Sequence, residues 1–264
     1  MNTNNTKIAF FDIDGTIYLY GKGVPDDTKS SIKKFRENGN IAVICTGRTK
    51  NMIFPEILDI GFDGIIAGAG TYVDCQGAFY KYILPEEISW SVVSDMKKNK
   101  IIPVPEGIEN IFFDKKNIPS EYRKLYDHYI QKIPEHVKDI DEVTELNVSK
   151  LSGMMTDLDL GAKFIEKYKD RFNIVFHSKE FIEMIPNEFS KARGIDYLIE
   201  KLEIPIEDTY AFGDGMNDYE MLKYVKYGVA MGNASEDFKN KIKYVTEDYD
   251  KGGISKALRR FGLI

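Results

Sequence analysis

The sequence is poor in cysteine and histidine, the residues on which disulfide frameworks, thiol catalysis and most zinc sites depend. Its 264 residues include two cysteines and three histidines. Cys45 lies inside an apolar run, where a small buried thiol packs well. His128, His136 and His177 show no paired spacing, so we interpret them as structural residues. These scarcities argue against a disulfide-stapled fold, a catalytic cysteine and a zinc centre.

Long apolar runs and excess positive charge are also absent. No segment reaches the roughly 20 apolar residues that a membrane-spanning helix needs. The polar start, Met1–Lys7, lacks the apolar core of a signal peptide. The formal net charge of -6 argues against nucleic-acid binding, which depends on cationic contacts to phosphates. We therefore expect a cytoplasmic protein with no membrane partner and no nucleic-acid partner.

What the sequence does contain is a pair of carboxylates at the end of an apolar run. Ile8–Phe11 is followed by Asp12, Asp14 and Gly15. Because side chains of a strand alternate between its faces, Asp12 and Asp14 share one side. Such a pair at a strand tip can hold a hard divalent cation, and one carboxylate can attack phosphorus if the cation screens its charge. The alternative is that Asp-x-Asp-Gly is only a polar turn.

Three later segments offer groups for the same chemistry. A second apolar run ends in Thr46 and Gly47, whose hydroxyl and backbone N–H can cradle a phosphate. The run Thr209–Phe212 leads into the acidic segment 213–218, a further source of carboxylate ligands. Lys191 opens a helical segment and can act as a point charge toward a phosphate. Taken alone, such a lysine is more often a solvated surface residue.

The pattern of strands and helices predicts two domains. Strand candidates alternate with amphipathic helices at both ends of the chain, which is typical of a parallel sheet wrapped by helices. The middle alternates helices with shorter strand-like pieces, which indicates an α+β insert with its own sheet. Prolines at Pro85 and Pro186 mark its hinges. We predict a core of residues 1–82 and 187–264 and an insert of residues 83–186.

Two details of the core are also predicted. Asp26 or Asp27 is expected to cap the first helix. A second helix is expected around Thr49–Leu58, after the Thr46-Gly47 turn. Because the insert lies between Thr46 and Lys191 in the sequence, we expect it to fold as a lid beside the strand tips if both residues serve one site.

With these segments in this order, the sequence resembles the haloacid dehalogenase (HAD) superfamily of phosphohydrolases, whose four motifs are all present. The segments 213–222 (GDGMNDYEML) and 229–234 (VAMGNA) resemble the Cof-type branch, which carries a large cap domain. The resemblance implies an α/β fold: a Rossmann-like parallel-sheet HAD core with an inserted α+β cap that acts as a substrate-specificity lid. It also implies that the strands ending in Asp12 and Asp214 are neighbours.

The resemblance implies a magnesium-dependent phosphatase that hydrolyses small phosphate monoesters, with sugar phosphates as the favoured class. We expect Asp12 to attack phosphorus and form an aspartyl-phosphate. Asp14 is expected to protonate the leaving oxygen and later to activate water. Mg²⁺ is expected on the Asp12 carboxylate, the Asp14 backbone carbonyl and Asp214, with Asp218 supporting the ion by holding its ligands or through water.

The remaining implied residues bind the phosphate group of a small phosphorylated metabolite. Thr46, the Gly47 amide and Lys191 are expected to hold its oxygens. Asn217 is expected to orient Lys191 or the phosphate, and the alternative for Asn217 is a helix cap. Arg48 is a weaker candidate, because an arginine at a helix start is usually solvated. We expect a monomer or a weak homo-oligomer.

Two other functions stay open on the sequence alone. A phosphomutase of the same superfamily would share the aspartyl-phosphate. A non-enzymatic phosphate-responsive regulator could use a similar set of residues, but it gains nothing from a general acid such as Asp14 that speeds dephosphorylation. A dinucleotide-binding oxidoreductase is poorly supported, because no Gly-x-Gly-x-x-Gly motif follows the first strand. The absence of Gly-x-x-x-x-Gly-Lys-Ser/Thr excludes the P-loop NTPases.

Overall fold

The computed structural model describes residues 6–264, apart from the side chain of Glu121, and the chain forms two compact units. The first unit holds the described residues up to Gly47, together with Pro55–Tyr80 and Ser190–Ile264. The second unit holds Arg48–Phe54 and Lys81–Phe189. The short segment Arg48–Phe54, which the sequence pattern placed in the core, therefore groups with the second unit.

The strands fall into two sheets, one for each unit. In chain order they are β1 (Ile8–Phe11), β2 (Ile41–Cys45), β3 (Gly64–Ala67), β4 (Tyr72–Cys75), β5 (Ala78–Lys81), β6 (Ile101–Glu106), β7 (Ile111–Phe113), β8 (Val137–Asp139), β9 (Lys150–Met155), β10 (Phe172–Phe176), β11 (Phe181–Pro186), β12 (Thr209–Gly213), β13 (Tyr227–Ala230) and β14 (Tyr244–Val245).

The α-helices lie between these strands. They are α1 (Asp26–Glu37), α2 (Pro55–Leu58), α3 (Glu86–Lys98), α4 (Ser120–Lys132), α5 (Leu158–Tyr168), α6 (Lys191–Lys201), α7 (Tyr219–Tyr224), α8 (Glu236–Lys239) and α9 (Gly253–Arg260). Within the described part of the chain, no helix combines the length and the apolar character needed to cross a bilayer.

The sheet of the first unit has the strand order β14-β13-β12-β1-β2-β3-β4-β5. The strands from β14 to β3 are parallel, and β4 runs antiparallel to β3. At the centre, Phe11 of β1 is opposite Phe212 of β12 and Ile44 of β2. These central strands are buried along their whole length, which explains their continuous apolar sequences. The predicted α/β class and the predicted pairing of β1 with β12 are confirmed.

The second unit is an α+β body with the strand order β10-β11-β9-β6-β7-β8. One face of this sheet packs its apolar side chains, such as Leu151 and Ile182, against residues of α3 and α5, including Met96 and Phe164. Because strand side chains alternate, the neighbouring residues of the same strands occupy the other face. That face carries the charged residues of β6, β9 and β11: Glu106, Lys150 and Glu183.

Two local predictions are wrong. The helix expected over Thr49–Leu58 is broken into a 3-10 turn, Lys50–Met52, and α2. Pro55 lacks an N–H and disfavours helical geometry at the residue before it, so a continuous helix cannot pass this point. The expected cap at Asp26 or Asp27 is also absent, because the N-cap position of α1 is Pro25 and both carboxylates lie in the first turn. There the two carboxylates interact favourably with the positive end of the helix dipole.

Candidate active site

The tips of three adjacent parallel strands build the site. Asp12 follows β1, Thr46 follows β2 and Asp214 follows β12. Parallel strands end at the same edge of a sheet, so these residues meet although they are far apart in the sequence. The backbone fixes the tips: the Asp12 N–H donates to the Phe212 carbonyl at 3.0 Å, and the Thr46 N–H donates to the Ile66 carbonyl at 2.9 Å.

Lys191 lies between two buried carboxylates. Its Nζ is 2.6 Å from Asp12 Oδ1 and 2.5 Å from Asp218 Oδ1. Exposure is 3% for Lys191, 3% for Asp12 and 0% for Asp218. A solvated surface lysine, the alternative that the sequence left open, is therefore excluded. Lys191 is the first residue of α6, whose N-cap Ser190 accepts a hydrogen bond from the Arg193 N–H.

A glycine permits the start of α6 to come this close to the sheet. Gly70 has a φ of 95° and follows β3, and a Cβ at this position would lie 2.3 Å from the Ser190 carbonyl oxygen. Any side chain there would displace Ser190 and the lysine after it. In the same turn, the Ala69 N–H donates to the Thr46 carbonyl at 3.0 Å. The turn thus supports both Thr46 and Lys191.

Asp218 also organises the acidic loop that contains Asp214. Its Oδ2 accepts hydrogen bonds from the backbone N–H groups of Asp214, at 3.0 Å, and Gly215, at 3.2 Å. Its Oδ1 faces Lys191. Both oxygens of Asp218 therefore have protein partners, and the loop geometry of Asp214 depends on them.

The site carries more negative charge than positive charge. Burial, followed by repulsion from Asp218, raises the pKa of Asp12 well above its ordinary value, against the attraction of Lys191. Burial and Asp218 likewise raise the pKa of Asp214 to about 7. Burial disfavours the Lys191 ammonium, but the attraction of Asp12 and Asp218 outweighs this and raises its pKa. One ammonium among several carboxylates leaves room for a further cation.

The carboxylates fit a divalent metal ion. Asp12, Asp214 and Asp218 each offer an oxygen, and these oxygens lie within 4.8 Å of one another. Hard cations such as Mg²⁺ prefer this kind of ligand. The excess negative charge gives the same indication, because a bound cation would stabilise the ionised carboxylates.

Asp14 lies in the turn after β1 and is exposed, unlike Asp12. The turn is closed by backbone hydrogen bonds from Gly15 N–H to the Tyr18 carbonyl, at 2.8 Å, and from Tyr18 N–H to the Ile13 carbonyl, at 2.9 Å. The negative charge of Asp14 contributes to the raised pKa of both Asp12 and Asp214, which places its carboxylate near them. An exposed acid beside a buried one suits proton transfer with solvent.

The other predicted phosphate-binding residues lie on the adjoining loops. Thr46 is buried, Gly47 is half-buried and Asn217 is exposed. The Asn217 side chain lies over Gly215, and the N-cap position of α7 is Asp218, so Asn217 is not the cap of that helix. The Arg48 guanidinium stacks on the Phe54 ring at 4.5 Å and donates to the Met52 carbonyl, both within the second unit.

One residue that contacts the site was not predicted. The Asn233 side chain donates to the Gly15 carbonyl at 2.9 Å and lies 3.5 Å from Asp214 Oδ2. The segment VAMGNA, which contains Asn233, indicates the Cof-type branch but gives no sign of this contact. The signal that could have indicated it is its position: Asn233 lies in the turn after β13, as the site carboxylates lie in the turns after β1 and β12.

Comparison with known proteins decides the family. Residues 9–258 match the family described as haloacid dehalogenase-like hydrolase. The chain belongs to this family. Its relatives include YkrA of Bacillus subtilis, which is 30% identical over 98% of this chain and 99% of YkrA. Another is the Bacillus subtilis 5-amino-6-(5-phospho-D-ribitylamino)uracil phosphatase YwtE, which is 24% identical over 94% of this chain and 96% of YwtE.

Solved structures agree with this assignment. The structure of BT4131, described as a HAD subclass IIB sugar phosphatase, superimposes with a TM-score of 0.82 and 28% identity over 98% of this chain and all 100% of that one. A hypothetical protein of Geobacillus kaustophilus has a TM-score of 0.84 and 30% identity over the same shares. The predicted family and the predicted enzyme class, a HAD-like phosphatase, are confirmed.

Proposed function

We propose that this HAD-family enzyme is a magnesium-dependent phosphatase that hydrolyses small phosphate monoesters through an aspartyl-phosphate on Asp12. The observation that supports the proposal most is the buried Asp12 carboxylate at the tip of β1, 2.6 Å from Lys191 and grouped with two further carboxylates. Sugar phosphates are the proposed substrate class, because BT4131 is described as a sugar phosphatase.

In the first step, an Asp12 oxygen attacks phosphorus, and the bond between phosphorus and the leaving alkoxide oxygen breaks. The Asp14 carboxyl group donates its proton to that oxygen, which leaves as the alcohol. In the second step, the Asp14 carboxylate takes a proton from water, whose oxygen attacks phosphorus and releases inorganic phosphate. Asp12 returns as a carboxylate, and Asp14 returns as a carboxylic acid.

The phosphate oxygens would be held by Thr46, the Gly47 N–H and Lys191, with Asn217 beside them. Phosphoryl transfer depends on positioning and on stabilisation of charge, and fixed donors supply both. Lys191 is already fixed by two ion pairs, so little reorganisation is needed when the phosphate arrives.

Asp12, Asp214 and the Asp14 backbone carbonyl would hold Mg²⁺, with Asp218 orienting Asp214 through its two backbone hydrogen bonds. When bound, Mg²⁺ would keep Asp12 ionised and balance the charge of the phosphate.

We further propose that the second unit supplies substrate selectivity. Its support is a buried charged cluster on one sheet face: Lys150 Nζ lies 2.7 Å from Glu106 Oε2 and 2.5 Å from Glu183 Oε1. His177 Nε2 lies 2.8 Å from the other oxygen of Glu183. Buried ion pairs seldom stabilise a fold more than apolar residues do, so a recognition role explains their presence better.

Phosphate release from a panel of metabolite phosphates tests the proposed function. We expect release from several sugar phosphates in Mg²⁺ and its loss when EDTA removes divalent cations, with recovery on adding Mg²⁺. Full activity in EDTA would contradict the metal dependence. Transfer of the phosphate to a second hydroxyl, without release, would indicate a phosphomutase. A long-lived phosphoprotein with little turnover would indicate a regulator.

Asp14→Asn should distinguish the proton-transfer role of Asp14 from the nucleophilic role of Asp12. The amide cannot donate or accept the proton, so we expect kcat to fall by about 10²- to 10⁴-fold, while Mg²⁺ binding persists through Asp12, Asp214 and the unchanged backbone. Substrates with good leaving groups, such as aryl phosphates, should lose less in the first step, because their oxygen needs no proton. Steady-state rates on alkyl and aryl phosphates would show this, and an unchanged rate on both would refute the role of Asp14.

A further inference from the structure

Asn233 joins three loops of the first unit. It lies in the turn after β13, and its Nδ2 donates to the Gly15 carbonyl at 2.9 Å and lies 3.5 Å from Asp214 Oδ2. Its Oδ1 accepts from the Tyr249 backbone N–H at 2.8 Å. One side chain therefore links the loop after β1, the loop after β12 and the segment that precedes α9.

These partners fix the orientation of the Asn233 amide. A backbone N–H can only donate and a carbonyl can only accept, so Oδ1 must face Tyr249 and Nδ2 must face Gly15. A flipped amide would lose both bonds. The N–H pair of Asn233 is consequently directed toward Gly15 and Asp214.

Gly15 brings its own backbone against the Asp214 carboxylate. It has a φ of 77°, and a Cβ at this position would lie 2.0 Å from Asp214 Oδ2. Its N–H donates to the Tyr18 carbonyl at 2.8 Å, while its carbonyl accepts from Asn233. Both peptide groups of Gly15 are thus held, and one of them contains the Asp14 carbonyl.

The turn that carries Asn233 is itself anchored on two sides. The Met231 N–H donates to the Gly213 carbonyl at 3.0 Å, one residue before Asp214. The Gly232 N–H donates to the Glu247 carbonyl at 3.0 Å. The backbone at Gly213, just before the acidic loop, and at Glu247 therefore determines where the Asn233 amide points.

We propose that Asn233 is a positioning residue that orients Asp214 and, through the Gly15 carbonyl, the turn that carries the Asp14 carbonyl, for binding Mg²⁺. The inference rests on the proposed function. Groups that hydrogen-bond to metal ligands fix their orientation, and their loss typically weakens metal binding or activity by about 10- to 100-fold. Asn233 is exposed, so its truncation opens no cavity in the core.

Calorimetric titration of the substrate-free protein with Mg²⁺ tests this role without using activity. We expect Asn233→Ala to raise the Mg²⁺ dissociation constant by about 10-fold or more. The matched control is Asn38→Ala, because the exposed Asn38 side chain makes the same kind of bond, from Nδ2 to the Leu263 carbonyl at 2.9 Å. This control should bind Mg²⁺ as the wild-type protein does.

The outcomes are distinct. An unchanged dissociation constant in Asn233→Ala would overturn the positioning role, as would an equal loss in Asn38→Ala. In EDTA the melting temperature of Asn233→Ala should fall slightly further than that of Asn38→Ala, since Asn233 loses its bonds to the Gly15 carbonyl and the Tyr249 N–H, whereas Asn38 loses its bond to the Leu263 carbonyl. A wild-type protein that binds no Mg²⁺ would overturn the proposed function itself, and the role of Asn233 with it.

Discussion

Asp12→Asn is expected to abolish phosphate release, lowering kcat by about 10⁴-fold or more. The amide has nearly the shape of the carboxylate, but it is too weak a nucleophile to attack phosphorus. It also removes one of the carboxylates that would hold Mg²⁺. Release of phosphate from an aryl phosphate, measured in saturating Mg²⁺, tests the expectation. Asp26→Asn, at an exposed position of α1, is the matched control and should keep wild-type activity.

The fold should survive this substitution. Lys191 keeps its contact of 2.5 Å with Asp218, so no buried charge is left alone. Burial and Asp218 raise the pKa of Asp12 in the folded protein, which means that its ionised form is disfavoured there. At neutral pH the unfolded chain carries Asp12 ionised, so a neutral asparagine should leave the metal-free stability equal or higher. Retained activity in the folded variant would refute Asp12 as the nucleophile.

Detection of a covalent intermediate is a more direct test of Asp12 as the nucleophile than the loss of activity. Wild-type protein quenched in acid during turnover should carry one phosphate on the peptide that contains Asp12, and Asp12→Asn should carry none. Hydrolysis in H₂¹⁸O should place label in phosphate through attack on the phosphoenzyme. A modified peptide that lacks Asp12 would assign the chemistry to another residue.

The sequence was sufficient to predict which residues meet at the ends of the central strands. It was insufficient to predict the contacts that hold those residues and Lys191 in place. Asp12, Thr46 and Asp214 each follow an apolar run, and the rule that parallel strands end at one edge brings them together. Lys191 was different, because a single lysine at a helix start gives no sign of burial. Its position depends on Gly70 meeting Ser190, a contact between segments far apart in the chain.

The errors at Asn233 and in Arg48–Phe54 have the same origin, whereas those at Pro55 and at the start of α1 are local. Asn233 was missed because its partner Gly15 is 218 residues away and nothing in the local sequence indicates the contact. The segment Arg48–Phe54 was placed in the core, whereas Phe54 packs edge-on against His128 of the second unit, with ring centroids 5.1 Å apart. The break of the helix is local, since the proline at position 55 predicts it from sequence alone.

Lys191→Met should cost both activity and stability. The apolar side chain removes the only ammonium that contacts Asp12 and Asp218 among the described ion pairs, and leaves two buried carboxylates facing each other. Breaking a buried pair in this way typically costs roughly 3–5 kcal/mol of unfolding free energy. Loss of the charge that faces the phosphate should lower kcat by about 10²- to 10³-fold.

Magnesium should distinguish this loss from a simple packing defect. A divalent cation bound to Asp12 and Asp214 can take over part of the neutralisation, so Mg²⁺ should recover part of the stability of Lys191→Met but little of its activity. Lys150→Met is the matched comparison, because Lys150 is equally buried between two carboxylates in the second unit. Its loss of stability should not respond to Mg²⁺. Urea unfolding of both variants, with Mg²⁺ and with EDTA, measures the difference, and an equal response of the two would contradict a cation site beside Lys191.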